Sequence, residues 1–191
     1  MFCELETDSV AIERIRDYED IPQEPDWETS SRDIIPEGWP LTGRLNLTDV
    51  SAKYRSTLPD ALKNLKLSIE DTEKVGICGR TGAGKSSLAS VILRIIEPHK
   101  GEIRLDGVNT MDIGLQELRS NITIVPQDSV LFSGTLRFNL DPWATVDETE
   151  LKNTLEKLNL PLSPDMLITE GGSNLSMGER QLICLGRAVL R

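Results

Sequence analysis

The sequence predicts an α/β fold, and three observations predict it. Short apolar runs of strand character recur along the chain, among them Val75-Gly76-Ile77-Cys78 and Ile122-Thr123-Ile124-Val125. A glycine-rich loop, Gly79 to Ser86, follows the first run directly. An amphipathic helix follows the loop, from about Lys85 to Ile96, stopped by Pro98. That order puts the loop at the carboxyl end of a strand, where open α/β sheets hold their ligands.

The chain has 191 residues, 38% hydrophobic and 27% charged, enough for one domain with additions. Its longest clearly apolar stretch, Val91 to Ile96, is interrupted by Arg94. It falls far below the ~20 residues a bilayer needs. The net charge of −10 is unevenly placed. Residues 1–40 hold 12 acidic and 3 basic residues, and the remainder 19 and 18. Neither part carries the basic stripe of a nucleic-acid binder. Of Cys3, Cys78 and Cys184, the latter two sit in apolar runs. This predicts reduced, core-filling thiols and a cytosolic setting. The opening Met1-Phe2-Cys3-Glu4 lacks the basic and apolar regions of a secretory leader.

Residues 1–20 read as a charged helix with a thin apolar stripe of Leu5, Ala11, Ile12, Ile15 and Tyr18. Residues 21–43, with Pro22, Pro25, Pro36 and Pro40, read as an extended linker. Its Trp27 and Trp39 would be costly in water, so the linker should lie on something. Strands are predicted through Leu45, Leu47, Val50, Ala52 and Tyr54, and through Leu65, Leu67 and Ile69. Asp106-Gly107 predicts a tight turn between short strands. After Gly134 the pattern turns helical. Asp147 with Glu150 begins a helix whose apolar face is Leu151, Leu155 and Leu158. Ser176-x-x-Glu179 begins the last helix as a capping box.

Gly79-Arg80-Thr81-Gly82-Ala83-Gly84-Lys85-Ser86 fits the phosphate-loop pattern G-x-x-x-x-G-K-[ST]. Glycines let the backbone approach phosphate oxygens with its N–H groups. Lys85 is placed to neutralise β- and γ-phosphates, and Ser86 to ligate Mg²⁺. The positive end of the following helix faces the same anion. A random chain of this length shows the pattern with a probability on the order of one per cent. The guanine-reading N-K-x-D motif is missing from the sequence.

Three further stretches, read with the loop, resemble ATP-binding cassette (ABC) transporters. Ile124-Val-Pro-Gln127 through Asn139-Leu-Asp-Pro142 is similar to the family's Q-loop region. Leu175-Ser176-Met177-Gly178-Glu179-Arg180-Gln181 is similar to its signature, L-S-G-G-Q. Tyr54 stands at the place of the aromatic that stacks on adenine. The wording is most similar to the C subfamily, the multidrug-resistance-associated type, and within it to the second nucleotide-binding domain. The implied fold is an incomplete P-loop ABC-type ATPase core, with an antiparallel β subdomain and a helical subdomain. Residues 1–20 resemble the cytosolic end of the last transmembrane helix, 21–43 its linker, and 44–191 a partial nucleotide-binding domain.

The resemblance implies ATP and Mg²⁺ as cofactors. Tyr54, Gly79, Arg80, Thr81, Gly82, Ala83, Gly84, Lys85, Ser86, Ser87, Gln127, Ser176 and Gly178 become the nucleotide-binding residues. Lys85 and Gln127 become the catalytic ones, and Ser86 and Gln127 the metal ligands. Ser176 and Gly178 face the nucleotide of a second cassette in the same transporter. The Q-loop region meets the transmembrane domains. The implied location is the cytosolic face of a membrane, with no nucleic-acid partner, and the implied cargo is organic anions, conjugates or xenobiotics. Read as bare residues, Tyr54 is also a half-buried strand tyrosine, Gln127 a solvated loop residue and Ser176 an ordinary helix cap. His99 reads as solvated surface in a turn, not the family's switch histidine.

Departures qualify the match. Met177 and Glu179 replace Gly and Gln of the signature, Ser129 replaces a proline, and Leu158 to Gly171 is short. The family's Asp-Glu strand and switch histidine do not follow Arg191 in this sequence. Without that strand two edges should be exposed and the core open. The expectation is therefore a fragment of a longer transporter. The alternatives are a module that binds ATP without hydrolysis, and a soluble ABC ATPase.

Overall fold

The computed structural model describes the backbone of residues 2–21 and 23–190, with the side chains of 2–9, 11 and 32 outside the description. The chain divides into two units, Met1–Asn121 and Ile122–Arg191.

In the first unit, α1 spans Phe2–Glu19. Its apolar stripe is exposed at Ile12, Ile15 and Tyr18, while the side chains of Leu5 and Ala11 lie outside the described residues. Among the described residues no helix is long and apolar enough to cross a membrane.

Strands β1 (Leu45–Ala52), β2 (Leu62–Ile69), β3 (Pro98–Leu105) and β4 (Val108–Asn109) form an antiparallel sheet in the order β2-β1-β3-β4. Leu45 pairs with Ile69 and Leu47 with Leu67 on one side of β1, and Leu47 with Ile103 on the other. The register shifts after Thr48, where Asp49 has φ 50°. Opposite that bulge a Cβ on Gly101 would fall on the Thr48 and Asp49 carbonyls, so only glycine fits. The predicted turn forms, with Asp106 and Gly107 both left-handed.

Helix α2 (Lys85–Ile92) lays Leu88 and Val91 against Leu47, Val50, Ala52, Leu62 and Ile103. Each such side chain contributes about 1.5–3 kcal/mol by leaving water. The helix is shorter than its sequence pattern. It stops because Arg94 turns left-handed, φ 52°, and buries its guanidinium. Nη1 donates to the carbonyls of Thr110 (2.7 Å) and Ile113 (2.9 Å), and Nε to Glu97 (2.9 Å). Arg119 then satisfies the helix end, donating to the carbonyls of Leu93 (3.1 Å) and Arg94 (3.0 Å). Arg119 belongs to α3 (Leu115–Ser120) and also grips Glu24 of the linker at 2.8 Å.

Residues 23–43 do lie on the unit, although only one of the two tryptophans there does so through the ring. Trp39 is 8% exposed and donates Nε1–H to the Leu105 carbonyl at 2.9 Å. Trp27 is 55% exposed. Its segment is held by backbone instead, with the carbonyls of Asp26 and Trp27 accepting from Leu115 and Gln116 at the start of α3. Asp106 gathers the N–H groups of Thr42 (2.7 Å), Gly43 (3.1 Å) and Arg44 (2.8 Å).

Two expected strands are not formed. Residues 75–78 and 122–125 are unpaired, because no strand among the described residues offers them a ladder. All of them but Ile122 are exposed. Cys78 is consequently not a core filler, whereas Cys184 is buried as expected. His99 is exposed as expected, but not in a turn. It lies within β3, with Nε2 3.0 Å from an Asp60 carboxylate oxygen.

In the second unit, β5 (Gly134–Thr135) pairs antiparallel with β6 (Leu167–Ile168). Helices α4 (Leu136–Leu140), α5 (Glu148–Lys157) and α6 (Met177–Val189) complete it. All three helices start on side-chain caps, from Thr135, Asp147 and Ser176. The core includes Leu131, Leu136, Leu140, Leu151, Leu155, Ile183 and Cys184. Asn139, 2% exposed, accepts from Phe132 N–H and donates to the carbonyls of Phe132 (2.8 Å) and Thr135 (3.1 Å). The antiparallel β part and the helical part of the predicted fold are thus formed among the described residues.

Candidate functional site

The loop Gly79–Ser86 runs from an unpaired segment into α2. Ala83 N–H donates back to the Arg80 carbonyl at 3.1 Å, closing a turn over Arg80, Thr81, Gly82 and Ala83. Gly82 and Gly84 both have positive φ, 81° and 87°. They differ in what surrounds them. Gly82 has open space where a Cβ would point. A Cβ on Gly84 would sit 2.8 Å from the Ala61 carbonyl oxygen and 3.0 Å from Leu62 Cδ2. Gly84 therefore lets the loop press onto the start of β2.

Gly84 is the N-cap of α2 and supplies no side-chain acceptor. The first N–H groups of the helix keep their positive character, which suits an anion. No acidic residue lies in that first turn to compete. The Lys85 ammonium folds over the loop, donating to the carbonyls of Gly79 (2.6 Å) and Arg80 (2.9 Å). A flexible ammonium in that position has to exchange two carbonyls for phosphate oxygens, a favourable trade in charge. Ser86 is exposed beside it.

Tyr54 follows the end of β1 and is 58% exposed. Its phenol oxygen lies 2.9 Å from Ser87 Oγ in the first turn of α2. Tyr54 also borders a cavity of about 480 Å³ with Lys53, Arg55, Ser90, Glu97 and His99. The structure thus brings Tyr54, Gly79 to Ser86 and Ser87 together within one unit.

Gln127, Ser176 and Gly178 belong to the other unit. Gln127 is exposed in a loop. Ser176 caps α6 in a closed capping box. Its Oγ accepts from Glu179 N–H at 3.2 Å, while its own N–H and hydroxyl reach Glu179 Oε2 at 2.8 and 2.7 Å. Those bonds hold the Glu179 carboxyl below the usual carboxylate range. Glu179, the departure from the signature, is therefore engaged with the serine of that same signature. Gly178 is open, with free space where a Cβ would stand, and Met177 beside it is exposed.

The same unit holds a cavity of about 530 Å³ lined by Phe132, Phe138, Trp143, Val146 and Arg187 among others. Arg187 spans its wall, donating to the Val130 carbonyl at 2.7 Å and Asn139 Oδ1 at 3.0 Å. Among the described residues no group of three or more His, Cys, Asp or Glu side chains could cage a metal ion. The donor set available is a serine hydroxyl, which suits Mg²⁺ carried in on phosphate oxygens rather than held by protein alone.

Sequence reasoning had Ser87 in the loop but not its link to Tyr54. It had Asp106 only in a turn and Arg94 only as a break in an apolar run, without their partners, and it missed Arg119. Asp-Gly as a turn signal was the only trace of the first.

A family model described as ABC transporter matches residues 62–191. The chain is 48% identical over 198 residues to human ATP-binding cassette sub-family C member 3, covering 100% of the chain and 13% of that protein. It is 47% identical to the rat protein of the same name, over 98% of the chain and 13% of the relative. To human ATP-binding cassette sub-family C member 2 it is 44% identical, over 100% of the chain and 13% of the relative. The chain thus spans 13% of the length of the curated relatives it matches.

Proposed function

The chain belongs to the ABC transporter family, and from that premise we propose that it is the ATP-binding cassette of a C-subfamily exporter, its second nucleotide-binding domain. In the whole transporter, ATP binding and hydrolysis would drive organic anions, conjugates or xenobiotics across a membrane. The observation that carries this reading is the loop itself. Two left-handed glycines, an uncapped α2 N-terminus and the Lys85 ammonium converge on one short segment. Tyr54 is tied to the same helix.

In this reading Tyr54 stacks on adenine, worth about 1–3 kcal/mol by analogy with bases on aromatic side chains. The N–H groups of Gly79 to Ser87 cradle the phosphates, and Lys85 offsets the charge of the β- and γ-groups. Ser86 and Gln127 would hold Mg²⁺, which supplies charge neutralisation between those groups. Gln127 would also orient water. Ser176 and Gly178 would face the γ-phosphate of a nucleotide on an opposing cassette. The apolar cavity around Phe132, Phe138 and Trp143 suits the end of a helix from the transmembrane domains. Residues 1–20 and 21–43 would lead from the last transmembrane helix, and the cassette would work at the cytosolic face.

The experiment is binding of a fluorescent ATP analogue to the full chain, run beside a phosphate-release assay. Wild type should bind, and Lys85→Ala should weaken binding at least tenfold, the size of one lost charge-assisted contact (about 1.5–3 kcal/mol). Equal affinity for the two would overturn the proposal. Release of phosphate that Lys85→Ala abolishes makes the chain a hydrolase; binding without release makes it a nucleotide-holding module.

A further inference from the structure

We propose that residues 24–44 form a strap whose seat on Gly114 braces α2, so that docking of the strap and binding of nucleotide at the start of α2 strengthen one another. The proposal rests on the reading of Gly79 to Ser86 as the ATP phosphate loop and adds what regulates its affinity.

The strap is held at both ends and in the middle. At one end the N–H groups of Thr42, Gly43 and Arg44 converge on Asp106, and Trp39 Nε1–H donates to the Leu105 carbonyl. At the other, Glu24 accepts from Arg119 at 2.8 and 3.3 Å. The middle is seated by backbone. Gly114 N–H donates to Thr29 Oγ1 at 2.9 Å, Leu115 N–H to the Asp26 carbonyl at 3.1 Å and Gln116 N–H to the Trp27 carbonyl at 3.0 Å. The start of a helix leaves such N–H groups without partners in its own turns, and here the strap supplies them. The fit admits only glycine. A Cβ on Gly114 would fall 2.5 Å from the Glu28 carbonyl carbon, and 2.6 Å from both Thr29 N and the Trp27 carbonyl oxygen.

The seat is wired to the C-terminal end of α2. Arg94, which ends that helix, donates from Nη1 to the carbonyl of Ile113, the residue before Gly114, at 2.9 Å. From the other side Arg119 of α3 donates to the carbonyls of Leu93 (3.1 Å) and Arg94 (3.0 Å). Arg94, Leu115 and Leu118 are all buried, so these links run through packed interior, which transmits a displacement. The eight residues of α2 span about 12 Å. An anion at its first N–H groups and the strap at its last carbonyls therefore act on opposite ends of one short element. Lifting the strap strips three N–H groups at the start of α3 of their acceptors and takes Glu24 from Arg119. The end of α2 is then free to shift. A looser α2 has to be ordered when phosphate binds, which weakens binding for the same contacts. Linkage makes the effect reciprocal: bound nucleotide must hold the strap down by the same factor.

The test pairs calorimetric titration with Mg-ATP and amide hydrogen exchange, both on the full chain. The reporters are the N–H groups of Gly114, Leu115 and Gln116, which the strap itself covers. In wild type, saturating Mg-ATP should slow their exchange on the order of fivefold, the low end of couplings between sites. Gly114→Ala should unseat the strap, speed exchange at Leu115 and Gln116, and weaken Mg-ATP on the order of fivefold, the same factor. Thr29→Val, which removes only the hydroxyl acceptor, should move both readouts in the same direction by less. Exchange in the β1–β3 ladder should stay as in wild type. Should Gly114→Ala disturb that ladder too, the wild-type comparison and Thr29→Val decide alone. A merely structural seat would speed exchange in the variants and leave Mg-ATP affinity untouched. That result overturns the proposal, and so does wild-type exchange at the three amides that ignores Mg-ATP. Wild type that binds no Mg-ATP at all would instead remove the reading of the loop, and the coupling with it.

Discussion

Substituting alanine for Gly84 and for Gly82 separates two costs that one motif conceals. Both glycines are left-handed, at φ 87° and 81°. An alanine forced into that region costs about 1–2 kcal/mol at either position. At Gly82 that is the whole cost, because nothing stands where the Cβ would go. At Gly84 the Cβ arrives 2.8 Å from the Ala61 carbonyl oxygen and 3.0 Å from Leu62 Cδ2. The oxygen is backbone and cannot rotate away, so β2 and the loop must separate. Overpacking of this kind adds about 1–3 kcal/mol. Gly84→Ala should therefore cost about 2–5 kcal/mol against about 1–2 for Gly82→Ala. Amide exchange is the sensitive assay, since the Ala61 N–H is bonded to the Ala52 carbonyl next to the clash. Exchange at Ala61 and Leu62 should accelerate in Gly84→Ala and stay near wild type in Gly82→Ala. Equal acceleration in the two variants would refute the claim that the loop is pressed on β2.

Two further outcomes follow from buried or gathered polar groups. Asp106 is partly desolvated, which alone would raise its value, but the N–H groups of Thr42, Gly43 and Arg44 together with the Thr42 hydroxyl outweigh that and hold its carboxyl well below the usual range. Its folded value is depressed, so its contribution to stability is complete above the unfolded value near 3.9 and is lost as pH falls below it. Asp106→Asn should lower stability by about 1–3 kcal/mol at pH 7 and flatten the acid limb of the unfolding curve. A parallel pH profile in the two proteins would count against the clamp. Asn139→Ala strands Phe132 N–H and its carbonyl inside the second unit and should cost about 1–3 kcal/mol per stranded group, read by thermal melting. A melt unchanged by that substitution would show that water takes over those bonds.

The chemistry-bearing segment was legible because it is contiguous. Gly79 to Ser86 carries its own glycines, lysine and serine within eight positions, and local spacing is enough to recognise it. The helix starts were legible for the same reason. Asp147 accepts from Glu150 N–H and Ser176 from Glu179 N–H, each three residues on. The end of α2 was misread. Pro98 looked like the stop, but Arg94 ended the helix earlier by turning left-handed toward Thr110 and Ile113. A stop made by a distant carbonyl leaves no mark in the helix's own sequence. The runs at 75–78 and 122–125 were misread in the opposite sense. Their apolar residues state a preference for a strand, and a strand exists only where a neighbour completes its hydrogen bonds.

The amino-acid order alone determined the phosphate loop, the turn at Asp106-Gly107, the caps of α5 and α6, and the likeness to one transporter family. Each of these depends on residues a few positions apart, where chain connectivity already holds the partners close. Tertiary structure decided which polar groups serve those elements. Ser87 found Tyr54 across 33 positions, Thr42 found Asp106 across 64, and Glu24 found Arg119 across 95. Pairings at that distance arise only after apolar burial has folded the sheet onto α2, so they are consequences of packing and not of local sequence.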